Sequence, residues 1–127
     1  MTGHENTLTA LHFEPEPLAG TGYEPFRIEL YQERDAVRVV PLGELDLAVA
    51  DRLQRQLEQL HESGFRRFVL DLRQLSFIDS SGLSVIVRWS SYAAGNGISF
   101  QLIHGPHAVQ RLFDLVGVTD RLSFRQP

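Results

Sequence analysis

A chain of 127 residues with 43% hydrophobic and 22% charged residues has the size and composition of a single soluble globular domain. Its formal net charge of −4 argues against a nucleic-acid-binding surface, and the absence of cysteine excludes disulfides, thiol nucleophiles and cysteine-ligated zinc. All 12 basic residues are arginine, so mechanisms that require a lysine are excluded as well.

Residues 1–25 differ in composition from the rest of the chain. They contain four glutamates, three prolines and no arginine, which predicts a flexible acidic leader in front of a folded domain over residues 26–125. The chain begins without the charged and apolar segments of a secretory signal, and no stretch approaches the roughly 18 apolar residues of a membrane span. We therefore predict a cytoplasmic protein that does not enter membranes.

The domain opens with alternating apolar residues. Residues 26–31 and 37–42 predict a β-hairpin, in which Pro41 is tolerated only near a strand end or at a sheet edge. Residues 43–46 predict a turn, and the side chain of Asp46 is placed to cap the helix that follows.

An amphipathic helix comes next and ends at Gly64. Its apolar residues recur at intervals of three and four: Leu47, Ala50, Leu53, Leu57 and Leu60. The continuous apolar run at residues 68–70 predicts a strand that is buried on both faces. Asp71 follows this strand, and we expect its carboxylate to pair with a nearby arginine: Arg66, Arg67 or Arg73.

Helices and strands alternate in the second half of the chain. Residues 75–78 lead as extended chain into a helix over residues 79–94. A strand over residues 98–103, a helix over residues 106–117 and a short strand over residues 122–124 complete the domain. This order predicts one α/β domain, with a mixed sheet of about four to five strands and helices packed on it.

Three segments of the chain carry a family resemblance. They are residues 68–83 with the turn Asp79-Ser80-Ser81-Gly82, the turn Gly43-Glu44-Leu45-Asp46, and the run over residues 109–118. Together they resemble STAS domains, and more closely the bacterial anti-sigma-factor antagonists, in the family's order and across residues 26–125. The chain departs from the family at Val49, where many relatives have threonine, and this predicts a weaker cap on the first helix or a weaker partner contact.

The resemblance implies a binding switch that regulates transcription rather than an enzyme. Family members bind an anti-sigma factor that is also a serine kinase, and this binding frees a sigma factor. The kinase phosphorylates a serine in the turn, the complex dissociates, and a serine phosphatase resets the system. Carried over by position, the phosphoacceptor is Ser80, with Ser81 as the less favoured neighbour. A scaffold or ligand-binding STAS module without phosphorylation is the alternative.

The serine turn also has a purely structural interpretation, in which Ser80 or Ser81 caps the second helix. Phosphorylation adds about −1.5 to −2 charge, which a helix start tolerates, so its effect should fall on a partner surface. Gly82 lets the backbone turn tightly and leaves the serine accessible. We assign to the partner surface the following residues of the two turns: Asp46, Asp79, Ser81, Gly82 and Leu83.

The second helix carries two apolar arcs. Leu83 and Ile86 lie on the arc expected to face the sheet. Val85, Trp89 and Tyr92 form the other arc, which either packs under a neighbouring helix or the leader, or forms an exposed stripe that docks the partner. Both interpretations remain open from sequence, and the three residues are included among the candidate partner-binding positions.

Enzymatic interpretations have little support from the sequence. Ser80 lacks the Gly-x-Ser-x-Gly elbow and a recognisable triad histidine, so a small serine hydrolase is a remote alternative. His104 and His107 are three residues apart without a third ligand, and we expect them to flank the turn into the third helix. We predict no catalytic residue, no metal and no cofactor, because any ATP would belong to the partner.

Overall fold

The computed structural model describes residues 6–7 and 26–127. In chain order these form β1 Asn6–Thr7, β2 Phe26–Glu33, β3 Ala36–Leu45, α1 Ala50–Glu62, β4 Arg67–Asp71, β5 Leu75–Ile78, α2 Ser80–Gly95, β6 Ser99–Ile103, α3 His107–Leu115 and β7 Phe124–Arg125. The predicted alternation of elements is confirmed, with the last strand two residues later than expected. Apart from β1, the predicted leader over residues 1–25 lies outside the described residues.

The sheet is built around β3. β2 pairs antiparallel with β3 along its length, from Phe26 opposite Gly43 to Glu33 opposite Ala36. On its other side β3 pairs in parallel with β4 and then with β5. The sheet continues in parallel from β4 to β6 and β7, while β1 lies antiparallel to β2. The mixed sheet is thus confirmed, and the described residues contribute seven strands to it.

Pro41 lies inside this central strand, so the prediction that it sits near a strand end or a sheet edge is wrong. It is opposite Ile28 of β2. On the other side, it falls between Val39, which is the last residue paired with β4, and Gly43, which is the first paired with β5. Because proline has no N–H to donate, it fits a central strand where one neighbouring strand has ended and the next has not begun.

The apolar side of α1 faces the core, as its spacing predicts. Leu53, Leu57 and Leu60 are buried, and the helix is followed by Gly64 with φ of +107°. Leu47 is an exception, because the helix begins only at Ala50 and the Leu47 side chain is 76% exposed. The predicted stripe is therefore wrong at its first member.

Both faces of the sheet are covered at β4, where Phe68, Val69 and Leu70 are all buried as predicted. α1 and α2 pack against each other, α2 contacts β5 and β6, and α3 contacts β5. Within the described part of the chain, no helix has both the length and the apolar character needed to cross a membrane.

Candidate functional site

The two turns that carry the sequence resemblance meet at one edge of the sheet. β3 and β5 are parallel neighbours, and their last residues, Leu45 and Ile78, are in register. The chain leaves β3 through Asp46 towards α1, and it leaves β5 through Asp79 into α2. Since the carboxyl ends of parallel strands lie together, the topology brings Asp46 and Asp79 into one site.

Asp79 is the residue that caps α2. Its Oδ1 accepts hydrogen bonds from the N–H groups of Ser81 at 2.9 Å and Gly82 at 3.1 Å. Its Oδ2 accepts a third, from the Leu47 N–H at 3.1 Å. The expectation that Ser80 or Ser81 caps the helix is therefore wrong, because the carboxylate one residue earlier takes that place.

Ser80 is the first residue of α2 and its side chain is exposed, whereas Ser81 is half-buried. A hydroxyl at this position is accessible to another protein and is not needed to satisfy the helix start. This geometry favours Ser80 over Ser81 as the residue that accepts a phosphoryl group. The assignment of the phosphoacceptor itself stays a prediction.

Gly82 is required by close packing rather than by a tight turn. A Cβ on this residue would lie 2.6 Å from Leu45 Cγ and 2.7 Å from the Leu45 carbonyl oxygen. Both distances are far below van der Waals contact. The first turn of α2 therefore passes directly over the end of β3, which only a glycine allows. Gly82 and the following Leu83 are buried, so both support the turn from beneath.

Asp46 closes the turn before α1. The sequence predicts that its side chain caps that helix, and this prediction is wrong. Its Oδ1 accepts from the Ala48 N–H at 3.0 Å, and its backbone carbonyl accepts from Val49 and Ala50. The N-cap residue is Val49, which makes no side-chain cap hydrogen bond. The prediction that valine weakens the cap at this position stays a prediction.

Two exposed apolar side chains flank the serine turn, and the sequence analysis placed neither on the surface. Leu47 is held beside Asp79 by its backbone N–H, and Phe77 of β5 lies three residues before Ser80 and is 47% exposed. A shallow groove of about 320 Å³ runs from Leu47 and Ser81 along α2 as far as Arg88. The sequence feature that could have predicted an exposed Leu47 is its position in the turn between Asp46 and the start of α1.

Trp89 and Val85 are buried, so an exposed docking stripe on this arc of α2 is wrong for both residues. The Trp89 ring lies 5.5 Å from Phe68 and 5.2 Å from Tyr92, centroid to centroid, and also contacts His61 at the end of α1. The alternative, packing under a neighbouring helix, is confirmed for Val85 and Trp89. Tyr92 remains 43% exposed.

A charged network lies at the end of β4. Arg73 donates to both carboxylate oxygens of Asp71, at 2.9 and 2.8 Å, and is one of the three arginines predicted as possible partners. Arg38 of β3 adds a contact at 3.2 Å that sequence spacing could not indicate. Burial alone would raise the pKa of Asp71, but the hydrogen bonds from Arg73 and the two positive charges outweigh it and hold that pKa below its ordinary value.

The two histidines of the predicted loop lie where the sequence placed them. His104 precedes the turn into α3, and its ring stacks on Phe124 at 4.3 Å between centroids. His107 is the first residue of α3, with Pro106 as the N-cap residue. Stacking on a neighbouring ring is a packing role for His104.

Comparison with known proteins identifies the class to which this arrangement of sheet, helices and serine turn corresponds. The model of the family described as Mlab, STAS domain matches residues 28–124, and the chain belongs to this STAS family. The anti-sigma-B factor antagonist of Bacillus subtilis (strain 168) is 30% identical over 93 residues, which are 73% of this chain and 84% of that protein.

Solved structures share the fold. An anti-sigma factor antagonist from Mycobacterium paratuberculosis superimposes with a TM-score of 0.68 at 18% identity, over 80% of this chain and 86% of that one. The antagonist SpoIIAA in its unphosphorylated form gives 0.65 at 20% identity, over 80% and 88%. SpoIIAA, a Bacillus cell fate determinant, has also been solved in its phosphorylated form, with a TM-score of 0.60 at 18% identity, over 80% and 91%.

Proposed function

We propose that this protein is an anti-sigma-factor antagonist whose binding is switched off by phosphorylation of Ser80. In the unphosphorylated form it binds an anti-sigma factor and so releases a sigma factor. The observation that carries the proposal is the exposed Ser80 hydroxyl at the start of α2, left free of the helix cap by Asp79. The antagonist names of relatives at about 30% identity support the same role.

A phosphate at this position would change the charge of the site without breaking the fold. It would add about −1.5 to −2 charge beside the helix start, where the backbone N–H groups tolerate an anion. The Asp79 carboxylate already occupies the N–H groups of Ser81 and Gly82, so the phosphate would stand next to a negative charge. The modified turn becomes strongly anionic and hydrated, and both properties oppose burial against a partner.

The partner surface that we propose combines this turn with the apolar side chains beside it. Asp46, Asp79 and the half-buried Ser81 form its polar centre, and Leu47 and Phe77 supply its apolar contacts. Exposed apolar side chains next to a regulated group are typical of binding hot spots. Tyr92 lies further along α2 and is a peripheral contact in this proposal.

We assign the covalent chemistry to the partners. An anti-sigma factor with serine kinase activity transfers the phosphoryl group of ATP to the Ser80 hydroxyl, and a serine phosphatase removes it by hydrolysis. The antagonist itself catalyses nothing in this scheme, and it works in the bacterial cytoplasm with these two proteins.

Phosphate mapping tests the proposal directly. The protein is incubated with candidate kinase partners and ATP, and the site of modification is determined by mass spectrometry. We expect one phosphate on Ser80, none on the Ser80→Ala variant, and normal incorporation in Ser84→Ala, which removes a nearby exposed hydroxyl of the same helix. Phosphate on Ser81 would overturn the assignment of Ser80 as the phosphoacceptor. No phosphate with any partner that binds the protein would favour the unphosphorylated scaffold or ligand-binding module instead.

A further inference from the structure

A groove separate from the serine turn lies between α1 and α2. Its volume is about 430 Å³, within the range of small-molecule binding sites. The α1 side is lined by Gln54, Glu58 and Glu62, together with His61, and the α2 side by Arg88, Trp89 and Tyr92. It shares Arg88 with the groove beside the serine turn and Tyr92 with the periphery of the surface proposed for the anti-sigma factor.

Two residues of this groove carry buried polar atoms without a hydrogen-bond partner. They are the indole nitrogen of Trp89, a donor, and the amide oxygen of Gln54, an acceptor. Gln54 cannot be flipped without loss, because its amide nitrogen donates to Glu58 at 2.7 Å. Nearly all buried polar groups in folded proteins are hydrogen-bonded. An unused donor and an unused acceptor in one groove therefore point to a molecule that offers both an acceptor and a donor.

The two walls of the groove are opposite in charge. Gln54, Glu58 and Glu62 follow one another at intervals of four, so one side of α1 presents oxygen acceptors, two of them on carboxylates. The α2 wall presents the exposed Arg88 side chain, and Trp89, whose N–H is buried, also lines this wall. Within residues 26–127, no ion pair involves Arg88, Glu58 or Glu62.

We propose that this groove binds a small zwitterion, a molecule that carries both a carboxylate and an ammonium group. The carboxylate accepts hydrogen bonds from Arg88 and the Trp89 N–H. The cationic group faces Glu58 and Glu62 and lies against the exposed Tyr92 ring, an arrangement that favours cations. The ammonium group also supplies the N–H donor that the Gln54 amide oxygen lacks. A ligand with a single charge would satisfy only one wall.

Trp89 is the only tryptophan of the chain, so its fluorescence reports on this groove directly. The full-length protein is titrated with a panel of α-amino acids, and binding is checked by calorimetry. We expect saturable binding of at least one zwitterion with Kd below about 1 mM. Acetate and tetramethylammonium, which each carry one of the two charges, should bind at least about tenfold more weakly.

Variants identify the wall that each charge uses. Arg88→Gln and Glu62→Gln should each weaken binding about tenfold or more, as loss of a charge-assisted hydrogen bond does. Trp89→Phe removes the donor while keeping an aromatic ring, and its weaker binding is read by calorimetry. The matched control is Arg111→Gln, which removes an exposed arginine of α3 and should leave the affinity unchanged.

Three results would overturn the proposal. One is the absence of any fluorescence change or heat with these zwitterions up to about 10 mM, a range that covers weak metabolite sites. Another is equal binding of acetate or tetramethylammonium. The third is wild-type affinity in both Arg88→Gln and Glu62→Gln. In each of these cases the groove is a packing feature between the two helices and not a ligand site.

Discussion

Asp79 caps α2, and Ser80 presents an exposed hydroxyl at the start of the same helix. The carboxylate satisfies the first N–H groups of α2, and the hydroxyl one residue later is left on the surface. Gly82 completes the arrangement, because it lets the helix start lie against Leu45. Single substitutions at these positions therefore have separable effects on stability and on binding.

Gly82→Ala should destabilise the fold by about 1–3 kcal/mol, the usual cost of forcing a methyl group into a packed site. The new Cβ would meet both the side chain and the backbone of Leu45. The matched control is Gly95→Ala in the same helix, where a Cβ meets nothing within 4 Å. This control should be neutral or stabilising by about 0.5–1 kcal/mol. Urea denaturation of both variants gives the comparison, and equal stability of the two would contradict the packing account.

Ser80→Asp should weaken anti-sigma-factor binding, with a loss of affinity in the range of about 5–150-fold that is typical of regulatory coupling. The circular dichroism spectrum should not change, because a helix start tolerates an anion. The surface becomes more negative, because the added carboxylate stands beside Asp79. Calorimetry on Ser80→Asp, Ser80→Ala and Ser91→Asp separates the charge from its position, since Ser91 is an exposed residue further along α2. Wild-type affinity of Ser80→Asp, together with wild-type affinity of true phosphoserine, would refute the charge switch.

The elements beside the turn determine what a partner can touch. α2 presents Ser80 at its start, but its Val85 and Trp89 arc is buried under α1, so the helix cannot offer that arc as a docking stripe. In the surface that we propose, the apolar contacts come instead from Leu47, in the turn before α1, and from Phe77 of β5. Truncation of Trp89 to alanine would cost about 3–5 kcal/mol of stability, and weaker binding of that variant would report damage to the fold.

Leu47→Ser should reduce anti-sigma-factor affinity about tenfold, because it removes an apolar contact beside the turn. Stability should change by less than about 0.5 kcal/mol, since the side chain is exposed and the backbone bond to Asp79 remains. Leu115→Ser is the matched control, an equally exposed leucine at the end of α3. The loss in Leu47→Ser should depend little on salt, in contrast to Ser80→Asp. Equal losses in the two leucine variants would place the partner elsewhere.

Local sequence patterns predict most helices and strands, but they do not predict which distant elements or residues pair with each other. The spacing of Leu53, Leu57 and Leu60 predicts α1, and the apolar run in β4 predicts a strand buried on both faces. Pro41 was misplaced because only the tertiary structure shows where β3 changes neighbours. Arg38 was missed as a partner of Asp71 because the two residues are 33 positions apart.

In the candidate site, too, local sequence was predictive and tertiary arrangement was not. Its serine turn was predicted from the resemblance, whereas the exposed Leu47 and Phe77 depend on where α1 and β5 begin and end in space. The capping role of Asp79 was missed for a different reason. Serine and aspartate are both favoured at helix starts, and propensity alone does not decide between adjacent residues.

At the scale of the whole molecule, the buried Asp71 makes the free energy of unfolding depend on pH in the acidic range. Its pKa in the folded protein is lowered from the ordinary value of 3.8 by hydrogen bonds from Arg73 and the charges of Arg73 and Arg38, which overcome the opposing effect of burial. A carboxylate of this kind contributes its full stabilisation above pH 3.8, and the contribution is lost as the pH falls below that value through the folded pKa.

Asp71→Asn should therefore be less stable than the wild type at neutral pH and should lose less further stability on acidification. The measurement is the free energy of unfolding as a function of pH, from urea denaturation. Asp51→Asn, a substitution at an exposed carboxylate of α1, is the control and should keep the acid dependence of the wild type. An unchanged acid dependence in Asp71→Asn would show that other carboxylates control acid stability.

The three hydrogen bonds of Asp79 also make this side chain a mechanical link between the two helices. One oxygen holds the start of α2, and the other holds the Leu47 N–H in the loop that leads to α1. Phosphorylation of Ser80, as proposed above, would place negative charge beside this carboxylate, and we expect the repulsion to weaken its hydrogen bond to the Leu47 N–H. The exchange of the Leu47 amide hydrogen with solvent, measured by NMR without any partner present, should then be faster in the phosphorylated protein.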